Sequence, residues 1–335
     1  MWDAYPGTCA ATHPVTYALR VIRKSRVSRS YALPAALAAA LVWLAAPGVG
    51  SAAQLDESPQ EVREYWTPER METAIPGDAL LSDADPVVPL GDVSLGLGST
   101  QARRAQAQPV SNPSSKPFRT HGKVFFTLGG LGYVCSGTSI KSDTKSLVVT
   151  AGHCTYSEAD GYASNFMFVP AYDNGDDPFG EWVAKRIKAT PQWEANENES
   201  YDVSMATMSK LDGEKLAKVV GSRGIAFNKG RDLNFDVFGY PAEAPFDGES
   251  MYLCESPAQG TDNQGSNPKP TRIDCDMTGG SSGGGWVIKD KNVNSVVSYG
   301  YECVIPLPIC ENPEEGKLFG PYFGDDIKKL YKSQK

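Results

Sequence analysis

Three short segments of the sequence carry side chains that do chemistry when brought together. The first, Val148-Val149-Thr150-Ala151-Gly152-His153-Cys154, is an apolar run ending in a histidine, with a neighbouring cysteine that a disulfide would staple in place. Imidazole changes charge near neutral pH and so serves as base or acid, although a lone histidine is as a rule structural. The second, Gly279-Gly280-Ser281-Ser282-Gly283-Gly284-Gly285-Trp286, sets a serine hydroxyl among glycines. Their backbone freedom lets two amide N–H groups converge on one point beside that hydroxyl. A Gly/Ser run by itself reads as a flexible linker. This one has Ser282 seven residues after Cys275 and continues directly into an apolar strand, a setting that does not suit a linker. The third, Tyr201-Asp202-Val203-Ser204-Met205-Ala206, is an acid at the head of an apolar strand. In chain order the three supply base, orienting carboxylate and nucleophile, the parts of acyl transfer.

Other chemistries fit less well. Gly280-Ser281-Ser282-Gly283-Gly284 also matches the G-x-S-x-G elbow of α/β-hydrolases, but those enzymes place their histidine after the serine, and no histidine follows His153. A subtilisin-like order needs an acid in its own motif before His153, and none stands out. Zinc is disfavoured: there is no C-x-x-C, and only His121 and His153 lie beyond the first 53 residues. No cofactor is expected. Asp173, Asn174, Asp176 and Asp177 make an oxygen-rich loop without EF-hand spacing. Asn198-Glu199-Ser200 is a glycosylation sequon.

These segments need a scaffold. The chain has 335 residues, 41% of them hydrophobic, enough for a sizeable core and for about two domains. Its formal charge of −8 repels phosphate backbones, so nucleic acid is not an expected partner. Arg20, Arg23, Lys24, Arg26 and Arg29 precede an Ala/Leu-rich run over 32–49, which ends in Gly50-Ser51-Ala52-Ala53. This pattern predicts a signal peptide over 1–53 and a secreted product, without stable membrane association once it is cleaved. Beyond it remain 27 basic and 39 acidic residues, a formal −12. Residues 54–120 form the next unit: 54–116 hold ten acidic against five basic residues and no cysteine, and Pro, Ser, Gln and Ala accumulate toward residue 117. That composition predicts a pro-segment and linker, with Arg103-Arg104 and Arg119 as exposed cleavage points.

From residue 121 to 335 short β-branched and aromatic runs alternate with turn residues, at 123–128, 133–140, 146–150, 165–169, 202–208, 235–240, 286–289 and 293–299. One helical pattern, 325–332, closes the chain, with Asp325 and Asp326 at its start and Lys328, Lys329 and Lys332 toward its end. The expectation is an all-β protein, barrel or sandwich, with a C-terminal helix. Cys135, Cys154, Cys254, Cys275, Cys303 and Cys310 are six cysteines in an oxidising setting, which predicts three disulfides. Short loops favour pairing them in sequence order, Cys135 with Cys154, Cys254 with Cys275 and Cys303 with Cys310.

On these residues the chain resembles the secreted chymotrypsin-fold serine endopeptidases, and more closely their bacterial branch of glutamyl endopeptidases and trypsin-like peptidases. The resemblance covers about 122–331. It rests on Cys135-Ser136-Gly137-Thr138, Thr150-Ala151-Gly152-His153-Cys154, Tyr201-Asp202-Val203, Gly239-Tyr240-Pro241 and Asp276-Met277-Thr278-Gly279-Gly280-Ser281-Ser282-Gly283-Gly284. It implies two packed six-stranded antiparallel β-barrels with the site between them. It makes Ser282 the nucleophile, His153 the general base, Asp202 the residue that orients the imidazole, and the N–H groups of Gly280 and Ser282 the oxyanion hole. Ser281 stands where vertebrate-type members carry the Asp that receives a new N-terminus, so that switch is not expected. Gly285 stands where proline is usual.

Specificity follows from the same resemblance. Asp276, six residues before Ser282, is the pocket floor that selects Arg or Lys in trypsin-like members, whereas some glutamyl endopeptidases carry an acid there without that role. The glutamyl branch uses a pocket histidine just before the wall formed here by Ser298-Tyr299-Gly300; this chain has Val297. Met277 and Tyr299 equally define an apolar pocket. The expected protein is a monomeric secreted serine endopeptidase, made as a precursor and acting on proteins or peptides. The rival reading is a non-catalytic binding protein on the same scaffold.

Overall fold

The structure is a computed structural model that describes residues 52–81, 106–301 and 316–334. The expected signal run and the Cys303–Cys310 pairing lie outside the described residues, apart from the last two residues of the former. The fold is all-β with few helices, as expected. Six strands build the first barrel: β1 (His121–Leu128), β2 (Leu131–Ile140), β3 (Leu147–Thr150), β4 (Ser164–Pro170), β5 (Trp182–Ala189) and β6 (Ser204–Met208). They pair antiparallel in the order β5-β6-β3-β2-β1-β4, and β4 returns to β5, which closes the barrel. Closure leaves every residue of β1 and β3 buried, which is why Val124-Phe125-Phe126 and Leu147-Val148-Val149 are consecutive rather than alternating apolar residues.

A second, barrel-like sheet follows from β7 (Asn234–Gly239), β8 (Tyr252–Thr261), β9 (Thr271–Asp274), β10 (Gly285–Ile288), β11 (Asn292–Val296) and β12 (Lys317–Gly320). Their antiparallel order is β11-β10-β7-β8-β9-β12. The C-terminal helix Asp325–Gln334 buries Ile327 and Leu330 in a core cluster that also holds Val149, Val203 and Phe238, so it packs across both halves. Cys135 is bonded to Cys154 and Cys254 to Cys275, the expected partners. Constraining loops of this length contributes about 3 kcal/mol each against the unfolded chain.

Residues ahead of the barrels are folded onto them. Ala53–Gln54 adds an antiparallel strand to β5, opposite Ile187 and Arg186. Helix Pro59–Tyr65 starts with a capping box, Ser58 accepting from the Glu61 N–H while Glu61 accepts from the Ser58 N–H. It delivers Val62 and Trp66, 1% and 3% exposed, to the core beside Phe125, and Trp66 Nε1 donates to the Asn165 carbonyl at 2.7 Å. Burial of two such side chains stabilises the docked segment by about 3 to 6 kcal/mol. Ile75–Pro76 then pairs in parallel with Tyr133 and Val134 of β2. Farther on, Gln108–Pro109 pairs with Tyr252 and Leu253 of β8. Among the described residues no helix is long and apolar enough to cross a membrane.

Candidate active site

His153 lies just beyond the end of β3, where the chain turns sharply. A side chain at Gly152 would strike the Trp193 ring and Asp202 Oδ1 at 2.7 to 2.8 Å, so only glycine lets the turn close on the acid. Closed in this way, the turn gives Asp202 two donors: the His153 backbone N–H to Oδ1 at 2.8 Å and His153 Nδ1 to Oδ2 at 2.8 Å. A third comes from the other barrel, Ser298 Oγ to Oδ2 at 2.6 Å. Asp202 is fully buried, and both of its oxygens are matched by donors, as buried polar groups require. Burial works against charge on the His153 imidazole. The Asp202 carboxylate, with smaller help from Asp78 and Glu197, outweighs that and holds the ring above its ordinary value of 6.5.

The Gly/Ser run is a rigid turn rather than a linker. Ser281 and Ser282 are buried, and the Gly283 and Gly284 amides donate to Val297 and Ser281 carbonyls. Gly283 has φ +80°, and a Cβ there would collide with Thr150 Oγ1 and the Ser136 carbonyl. Ser136 of β2 pins the turn to the first barrel: its N–H donates to the Ser282 carbonyl at 2.7 Å and its Oγ to the Gly280 carbonyl at 2.9 Å. The Gly280 N–H points into the cleft, where it donates to Asp78 Oδ2 at 2.9 Å. Ser282 Oγ donates to the other oxygen of the same carboxylate, also at 2.9 Å. His153 Nε2 is buried and makes no hydrogen bond to the described residues. Ser281, at the position of the vertebrate-type Asp, donates its Oγ to the Thr278 carbonyl at 2.7 Å and so holds the turn from within.

The expected pocket residues fall around the second barrel. Asp276 Oδ1 accepts the Ala107 backbone N–H at 2.7 Å. Met277 is buried in a cluster with Val297, Trp286 and Cys275. Ser298, expected in the pocket wall, also bonds the acid. Tyr299 stacks on Phe319 with ring centres 5.1 Å apart and donates to Asp262 Oδ2 at 2.6 Å, with Gly300 following it exposed. Cys135, His153 and Cys154 bring ligating atoms within 4.8 Å of one another. The two sulfurs are joined, so neither offers a thiolate to a metal. His121 is structural: it stacks on Phe238 at 3.9 Å and bonds Thr138 Oγ1 through Nδ1. Burial first, then the Arg223 charge, push it well below the usual histidine range.

Two barrels with a histidine and an aspartate from one and a serine in a glycine turn from the other define a hydrolase of the chymotrypsin type. The comparisons agree, and the chain belongs to the bacterial serine proteases of that fold. Protease Anisep from Arthrobacter nicotinovorans is 45% identical at a TM-score of 0.60, over 66% of this chain and 97% of that one. A thermostable serine protease, AL20, from an extremophilic microorganism is 34% identical at a TM-score of 0.58, over 64% and 96%. A Glu endopeptidase, 17% identical at a TM-score of 0.54 over 68% and 95%, bears on the fold alone. Over 139 residues, 41% of this chain, the sequence is 24% identical to an extracellular metalloprotease of Bacillus subtilis (strain 168), and the chain spans 43% of that curated relative. No protein-family model matches.

One residue at this site belongs to none of the sequence motifs: Asp78, which touches both Ser282 and Gly280. It is one of ten acids in the acidic stretch, and no spacing relates it to the three motifs. A faint signal exists in Ile75-Pro76-Gly77-Asp78, a stiff residue followed by a permissive one, which marks a turn without saying where it docks.

Proposed function

We propose that the protein is an exported serine endopeptidase, made as a precursor, that hydrolyses peptide bonds through Ser282, His153 and Asp202. The observation that carries this reading is the buried Asp202 carboxylate with its three donors, His153 N–H, His153 Nδ1–H and Ser298 Oγ–H. These bonds fix the imidazole with Nδ1–H toward the acid, which leaves Nε2 as the free base. In the mechanism, Nε2 takes the Ser282 proton as Oγ attacks the scissile carbonyl. The tetrahedral oxyanion is held by the N–H groups of Gly280 and Ser282, each such donor lowering the barrier by about 3 to 4 kcal/mol. His153 then passes the proton to the leaving amine, and water releases the acyl group by the reverse sequence. Asp202 stays ionised and stabilises the imidazolium.

Export is supported by the leader and by two disulfides, which persist in oxidising compartments. The substrates are peptides or proteins, and Asp276, Met277, Val297, Ser298, Tyr299 and Gly300 are the residues proposed to set which bond is cut. The test is mass-spectrometric mapping of peptides cut from a denatured protein mixture by the processed enzyme beside Ser282→Ala. Cleavage that vanishes in Ser282→Ala is expected. Equal cleavage by both forms, or none by either when both are processed and folded, overturns the reading.

A further inference from the structure

Gly280 N–H is one of the two oxyanion donors of the proposed chemistry and Ser282 Oγ–H is its nucleophile, and both are taken by one carboxylate. Asp78 Oδ2 accepts the first and Oδ1 the second, each at 2.9 Å. A hydroxyl has a single proton, so while Ser282 Oγ donates it to Asp78 it cannot donate it to His153, whose buried Nε2 has no partner among the described residues. A negative oxygen sits on the Gly280 N–H where the reaction would build one.

The contact is held from both sides. Asp78 lies in a short 3-10 helix, Gly77–Leu81, that follows the parallel pairing of Ile75–Pro76 with β2. Ile75 before it and Leu80 after it pack on the apolar cluster that contains Phe126, Cys135 and Cys154. Gly77 lies so close to Cys135 Sγ and the Val134 carbonyl that a Cβ there would collide with the sulfur. Upstream, Trp66, Val62 and the Ala53–Gln54 strand anchor the same segment to the first barrel. Docked through these anchors, the carboxylate meets its site as an intramolecular ligand, at an effective concentration of about a millimolar or above. A carboxylate is also a poor acyl donor, because its charge repels a nucleophilic oxygen, so the occupant is not consumed.

We infer that Asp78 is an intramolecular inhibitor, its carboxylate plugging the oxyanion hole and sequestering the Ser282 hydroxyl until the segment that carries it is removed. This rests on Ser282 being the nucleophile. The device differs from the ion-pair switch that Ser281 forecloses: in the intact chain the Gly280 N–H already faces the site and is occupied by the Asp78 carboxylate.

The experiment measures the rate at which a fluorophosphonate probe labels Ser282 in the intact chain, resolved by size from the processed form. Wild type, Asp78→Ala and Asp78→Asn are compared, with Ser282→Ala as the blank. Asp78→Ala removes both acceptors and is expected to label at least about tenfold faster than wild type, the effect of losing one charge-assisted hydrogen bond. Asp78→Asn keeps the shape, loses the charge and falls between them; should Asp78→Ala not fold, a faster Asp78→Asn carries the result. The processed forms, which no longer contain position 78, label at equal rates. An intact wild-type chain that labels as fast as the variants overturns the inference while leaving the protease reading in place. Absence of labelling in every processed form overturns both.

Discussion

Asp202→Asn tests the geometry of the site with almost no change of shape. The amide keeps one oxygen, which still faces the His153 backbone N–H, but it puts an NH2 where Oδ2 now accepts from His153 Nδ1 and Ser298 Oγ. Two donors then face each other, and the imidazole is driven to the other tautomer, with Nδ1 accepting and its proton on Nε2. In that form Nε2 has no lone pair for the Ser282 proton. The charge is lost as well. A carboxylate and an imidazolium about 4 Å apart between charge centres, at an effective dielectric constant of about 20, attract by about 4 kcal/mol, which slows the reaction about a thousandfold when lost. With the tautomer penalty added, turnover is expected to fall by about three to four orders of magnitude, the size this exchange produces in triads of this type. The assay is steady-state hydrolysis of a peptide by the processed variant at mildly alkaline pH, with KM changing little because Asp202 is buried away from substrate. A loss smaller than about tenfold would mean that the acid neither orients the imidazole nor stabilises its charge.

Other outcomes follow from the same structure. Asp202 favours the charged form of the His153 imidazole and His153 must be neutral to act, so kcat/KM of the processed enzyme should climb as pH rises through the histidine range; a profile flat from about pH 5 to 8 contradicts this. Removing the Trp66 side chain, Trp66→Ala, should destabilise the intact chain by about 3 to 5 kcal/mol in a denaturant melt, and an unchanged midpoint would show that the segment contributes nothing to the fold. Asp236 is held at about 6 by burial and by the adjacent Asp290, so folding loses stability as pH rises from about 4 through 6 and the loss is complete above it. Asp236→Asn should therefore raise stability at about pH 8, by about 1 kcal/mol after solvent screening of a half-exposed group, and leave it unchanged at about pH 3.5; a gain equal at both values would refute the linkage.

The candidate site is legible where the proposed chemistry needs particular residue types in particular order. His153, Asp202 and Ser282 each sit in a short segment whose neighbours have a job: Gly152 clears the acid, Gly280 and Gly283 take positive φ, and Cys154 ties down the histidine turn. Strands with apolar residues on both faces were equally plain. Strand β5 was hidden because Lys185, Arg186 and Lys188 interrupt its apolar pattern, and β8 because Pro257 and Gly260 break it. By resemblance Ser298 belongs to the pocket wall, and nothing in the sequence says that its hydroxyl turns to an acid 96 residues upstream. The acidic segment was legible only as a separable piece. That it docks by Trp66 and aims Asp78 at Ser282 depends on tertiary contacts, which composition does not encode.

The bond from Ser298 to Asp202 runs from one barrel to the other, as do those from Ser136 to the Ser282 turn. Turnover is therefore a gauge of how the two halves are seated, sensitive to slippage of an ångström that leaves each sheet whole. On heating, the rate of peptide cleavage should fail at a lower temperature than the β-sheet signal in circular dichroism. Ageing, solvent or crowding that loosens the seam would silence the molecule while it still looked folded.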